Sequence, residues 1–100
     1  MKFVQIIDFE TERLDEMEQL LEGARQRMEG QEGGPTHRIL LKDRDTPGRY
    51  LAVIEFESFE EAMRNNERPE TSKMAEQLGE LCTRAPRFVN CDLLDSRELK

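Results

Sequence analysis

The segment Tyr50-Leu51-Ala52-Val53-Ile54-Glu55-Phe56 constrains this 100-residue chain more than any other. It is rich in aromatic and β-branched residues, with Thr46-Pro47-Gly48 before it and Glu57-Ser58 after it, so it reads as a strand between turn signals. Side chains alternate across a strand, which puts Tyr50, Ala52, Ile54 and Phe56 on one side and Leu51 and Val53 on the other. Both sides are apolar, so both faces of this strand have to leave water. The same order recurs near the N-terminus: Phe3, Val4, Ile6, Ile7, Asp8 and Phe9 stand where Tyr50, Leu51, Val53, Ile54, Glu55 and Phe56 stand here. That echo predicts a duplicated strand-then-helix unit, against the alternative that two short apolar strands look alike by chance.

One hundred residues suit one domain, placed at 1–95 with a polar tail at 96–100. Fifteen Lys and Arg against 22 Asp and Glu leave a net charge of −7, which repels nucleic acid and anionic membranes. No apolar run approaches the roughly 20 residues of a membrane span. The start does not read as a signal peptide, because Lys2 leads into a strand broken at Asp8, and the expected location is cytoplasmic. Cys82 and Cys91 are expected to be buried free thiols, a disulfide being the alternative. With one histidine and two separated cysteines, no metal is expected.

Lys2–Phe9 is the predicted first strand. Thr11 is placed to cap a helix whose first turn carries Glu12, Asp15 and Glu16. Leu14, Met17, Leu20, Leu21, Ala24 and Met28 form its apolar stripe, and Gly30 and Gly33-Gly34-Pro35 end it. The acidic residues of Glu10–Glu22, interleaved with Arg13, read as a solvated helix face and not a cation site. Gly33-Gly34-Pro35 follows a helix instead of opening one, so it is no phosphate loop. Thr36–Lys42 is a second strand, turned back at Asp43–Arg49. If the turn preserves parity, His37, Ile39 and Leu41 share a face with Tyr50, Ala52 and Ile54. Ser58 and Glu61 make a capping box for a short helix carrying Phe59, Ala62 and Met63. Asn65-Asn66-Glu67-Arg68 interrupts it, and Pro69 opens a helix to Leu81 striped by Met74, Ala75, Leu78 and Leu81. Arg87–Leu94 is the last strand. The order β-α-β-β-α-β, with the second helix broken at Pro69, predicts an α+β, ferredoxin-like fold with a four-stranded antiparallel sheet. Helices on one side cover only one face, so a second copy of the chain is expected on the other.

The strand opening at Met1-Lys2-Phe3-Val4, the segment Tyr50–Met63 and the Pro69–Leu81 helix before a final strand resemble the dimeric α/β-barrel superfamily. The chain is most similar to the antibiotic biosynthesis monooxygenase-like proteins, over essentially its whole length. These are signals of fold, and such folds host cofactor-free oxygenases, haem-degrading enzymes, isomerases and ligand-sensing modules. Similar sequences often carry a histidine four residues after the alanine matched by Ala62, and another just before the next helix. Asn66, and Glu70 or Thr71, stand there instead. The haem-degrading branch uses a tryptophan and a helix histidine; this chain has no tryptophan, and its histidine lies in a predicted strand.

The resemblance implies a homodimer that binds a small, mainly apolar or aromatic molecule, or a cofactor-free oxygenase of electron-rich aromatics. A non-catalytic sensing or structural module is the alternative. His37 is the candidate general base, or else a structural or interface histidine. Asn65 and Asn66, at the helix break, are candidate ligand-orienting amides or else helix caps. Tyr50 offers a hydroxyl at a strand end, with packing as its alternative role. Gln5 and Asn90 are polar residues inside otherwise apolar strands and need partners if buried.

Overall fold

The computed structural model describes residues 1–30 and 33–100, in the order β1 (Phe3–Glu10), α1 (Leu14–Met28), β2 (His37–Lys42), β3 (Arg49–Phe56), α2 (Phe59–Asn66), α3 (Pro69–Leu81) and β4 (Arg87–Asp92). The four strands form one antiparallel sheet ordered β2-β3-β1-β4. The two-faced Tyr50 strand therefore has a neighbour on each side, as does its echo, β1. The order is two-fold symmetric about the β1–β3 pair, which fits a duplicated strand-then-helix unit.

Register decides which side chains meet the helices. Phe3 pairs with Phe56, Gln5 with Ile54, Ile7 with Ala52 and Phe9 with Tyr50. These positions share the helix-covered face, because the buried core joins Phe3 and Phe56 to Ala62 of α2, and Phe9 and Ala52 to Met17 of α1. The opposite face carries Val4, Ile6, Leu51 and Val53 in its centre.

The strand β2 lands in the other parity from the one expected. His37 pairs with Glu55, Ile39 with Val53 and Leu41 with Leu51. These three residues thus face away from Tyr50, Ala52 and Ile54. The turn accounts for the difference: Asp43 Oδ1 accepts from the amides of Asp45 and Thr46 at 2.8 and 3.3 Å, and Gly48 sits at φ +82°. The Asp43 amide then donates to the Arg49 carbonyl at 3.0 Å, which brings Leu41 opposite Leu51.

Helix starts differ in how closely they follow the sequence. Ser58 Oγ accepts from the Glu61 amide at 3.1 Å, and Pro69 stands in the first turn of α3. Thr11 does not cap α1, whose cap position is Arg13. The Thr11 hydroxyl instead accepts from the Arg13 amide at 3.0 Å and donates to the Leu81 carbonyl at 2.6 Å. A buried threonine therefore joins the end of β1 to the end of α3, where Thr11 and Cys82 form an isolated bridge. The last strand stops at Asp92, short of Leu94, although the Leu93 amide still donates to the Lys2 carbonyl at 2.9 Å. Both cysteines are free, and both are only partly buried, short of the full burial expected. Among the described residues, no helix is long and apolar enough to cross a membrane.

Candidate functional site

Cross-strand partners line up in rows on the helix-covered face. One row runs Arg38, Ile54, Gln5, Asn90; the next runs Leu40, Ala52, Ile7, Phe88. In the first, the Gln5 amide nitrogen donates to Asn90 Oδ1 at 3.1 Å, so the structure brings these two candidates together. Aromatic surface flanks the pair. Phe88 is 57% exposed, and Phe59 meets Phe3 edge-on with ring centroids 5.4 Å apart. The helices leave this β1–β4 side partly open, giving an aromatic strip with two adjacent amides able to hydrogen-bond a polar substituent.

Asn65 lies on the same helix face as Ala62, three residues away, and is 8% exposed. Its Oδ1 is buried with no hydrogen-bond partner. A methyl group placed on Gly34 would lie 3.6 Å from that oxygen and 3.3 Å from Met28 Cε. Asn66, one residue on, is exposed. The amide at the helix break that faces inward is therefore Asn65.

The remaining candidates lie elsewhere. Tyr50 stacks on Phe9 at 5.7 Å within the α1–α3 core, about 20 Å along β3 from the Phe56 end where α2 packs. His37 stands on the face turned away from the helices, beside Glu55. The structure thus separates His37 from Asn65, Gln5 and Asn90 by the thickness of the sheet.

A charged cluster that the sequence reading did not single out sits at one end of the open face. The Asp8 carboxylate accepts from Arg49 Nε and Nη2 at 3.0 and 2.8 Å and from Arg84 Nη2 at 2.8 Å. Arg49 also reaches Asp43 at 2.7 Å, and Arg84 reaches Glu10 at 3.3 Å. The Arg49 hydrogen bond, followed by that of Arg84, holds the Asp8 carboxyl down at about 2 against partial desolvation. The alternation of strand residues could have flagged Asp8 and Arg49 as partners. Arg84 comes from a loop and carries no such signal. Burial raises the Cys82 thiol, so it is a poor nucleophile. Among the described residues, no group of three or more histidine, cysteine or acidic side chains is placed to hold a metal ion.

Neither protein-family models nor curated proteins match the chain. Solved structures do. SnoaB, a cofactor-independent oxygenase from Streptomyces nogalater, is similar at a TM-score of 0.77 and 17% identity, with 95% of each chain covered. An antibiotic biosynthesis monooxygenase-type protein of Caulobacter crescentus CB15 is similar at a TM-score of 0.78 and 12% identity, over 94% of this chain and 91% of that one. Rv0793 from Mycobacterium tuberculosis gives 0.74 and 20%, covering 98% of this chain and all of the other (100%). The fold is the ferredoxin-like fold of the antibiotic biosynthesis monooxygenase-like proteins.

Proposed function

We propose that this protein is a cytoplasmic homodimer that binds a small, mainly apolar aromatic molecule on the helix-covered face of each sheet and oxygenates it without metal or flavin. The observation that supports this most is the Gln5–Asn90 amide pair set among Phe3, Phe59 and Phe88, in a fold shared with a cofactor-independent oxygenase. An electron-rich aromatic bearing an activated CH2 supplies the electrons itself. Loss of its proton gives a carbanion that reduces O2, a hydroperoxide forms at that carbon, and water leaves to give a ketone. The balance is CH2 plus O2 going to C=O plus H2O.

In this reading the chain binds and orients the molecule through Gln5, Asn90 and Asn65. Asn66 and Tyr50 take no direct part, Asn66 being exposed and Tyr50 packed on Phe9. A catalytic role for His37 needs a second ligand position on the open sheet face. His37→Gln tests that role: loss of activity with retained fold assigns the loss to proton transfer, and unchanged activity leaves His37 a structural or interface residue.

Oxygen uptake with a panel of electron-rich hydroxyaromatics, measured with a chelator present, tests the reading. Uptake that disappears in a Gln5→Leu/Asn90→Leu double variant supports it. Saturable binding without uptake favours the non-catalytic sensing module, which the distance of the only imidazole from this face also favours. No binding at all removes both.

A further inference from the structure

The helix α3 covers its part of the sheet without burying any residue of its own. It carries the chain from β3 to β4, so it passes over β1. Helical spacing and partial burial mark Thr71, Met74, Leu78 and Leu81 as its inward stripe. Leu78 and Leu81 pack against the Phe9–Met17–Ala52 cluster, and the Thr11 hydroxyl pins the Leu81 carbonyl at 2.6 Å. Met74 lies one turn back on the same side. Among the described residues it packs against neither that cluster nor the Phe3–Phe56–Ala62 cluster. A large apolar side chain thus stands between the two cores and belongs to neither.

Distances along the chain place it over the candidate site. The helix runs the same way as β1, from the end where α2 meets Phe3 and Phe56 to the end where Thr11 meets Leu81. Met74 is about 6 Å back from Leu78 along α3, and two residues of strand, about 7 Å, separate Phe9 from Ile7. Met74 therefore stands level with the Ile7–Phe88 row, next to the Gln5–Asn90 pair. That edge is open to solvent: β4 is an outer strand, and Phe88 and Asn90 are both exposed.

Methionine suits such a place, because its unbranched, flexible thioether fills irregular space and makes favourable contacts with aromatic rings. We propose that Met74 is the movable wall of the aromatic-binding site and sets the size of ligand that the site admits. In the free protein its side chain stands over the strip made by Phe88 and the amide pair, and it swings along α3 to let a ring in. The proposal rests on the aromatic-binding reading above and adds to it the residue that decides ligand size. Leu78, held in the core one turn on, has no such freedom.

The test titrates two fluorescent probes of different size, 1-naphthylamine and N-phenyl-1-naphthylamine, into the full chain. Met74→Ala is expected to bind the larger probe about ten-fold more tightly than wild type does and to change little toward the smaller one. Met74→Trp, which fills the space permanently, is expected to lose both with an unchanged circular dichroism spectrum. Ligand-free melting separates this role from core packing. Met74→Ala should melt close to wild type, whereas Leu78→Ala should melt several degrees lower. Unchanged affinities in both Met74 variants, with binding still lost in the Gln5→Leu/Asn90→Leu variant, overturn the proposal and leave the aromatic site standing. A Met74→Ala melting temperature as low as that of Leu78→Ala overturns it too, because Met74 is then a core residue. If neither probe binds wild type or Met74→Ala, the aromatic site is rejected and this inference with it.

Discussion

Asp8 shows how one carboxylate ties together three parts of the chain. It lies on β1, Arg49 opens β3, and Arg84 precedes β4. Its carboxyl is held near 2 against an ordinary 3.8. A folded-state value below the unfolded one means that the stabilisation is complete above about pH 3.8 and is lost as the pH falls toward 2. Asp8→Asn is therefore expected to cost about 1–2 kcal/mol at pH 7, reduced by the partial exposure of both arginines. The gap between the melting temperatures of wild type and variant should hold from pH 7 to 5 and close between 3.8 and 2. A constant gap across that range would assign the loss to packing.

Elements were legible in proportion to how local their causes are. The serine cap of α2 and the proline start of α3 are written locally and both appear, although the Glu61 carboxylate that would complete the capping box pairs with Arg64 instead. Ser58→Ala should accordingly cost about 1 kcal/mol, read as a lower urea midpoint with an unchanged slope. Thr11 looked like the same kind of cap. It was claimed instead by the Leu81 carbonyl, 70 residues away, a contact that no local pattern encodes. The parity of β2 failed for a related reason. Ile39 and Leu41 make one side of that strand apolar and Leu40 makes the other partly so; only the Asp43 turn decides between them. The candidate site divides in the same way. Gln5 and Asn90 stood out as polar residues in apolar strands, and register brings them together. Choosing Asn65 over Asn66 required knowing which side of α2 faces the core.

At the scale of the whole molecule, the sheet still has one face to cover. On the side away from the helices, Val4, Ile6, Leu51 and Val53 run across the centre, with Ile39 at 44%, Leu41 at 43% and Val89 at 48% exposure around them. The Asp8–Arg49–Arg84 cluster borders this apolar patch at one end, and His37 with Glu55 borders it at the other. An apolar centre with a charged border is the composition of a protein interface, and a flat sheet face matches its own two-fold copy. Light scattering behind a sizing column is expected to give twice the 11.7 kDa chain mass at micromolar concentration. Each chain carries −7, so pairing opposes like charges, and only the apolar face can overcome that repulsion. Added salt screens the repulsion and should therefore tighten the dimer, the reverse of its effect on an interface held by exposed ion pairs. Val53→Asp places a carboxylate at the centre of this apolar face, where a partner sheet would leave it unpaired; it is expected to weaken pairing by several kcal/mol and to yield monomer or insoluble protein. Lys73→Asp, on the outer helix layer, should leave the mass unchanged. A monomeric wild type, or a dimer indifferent to Val53→Asp, would show that another surface or none covers this sheet.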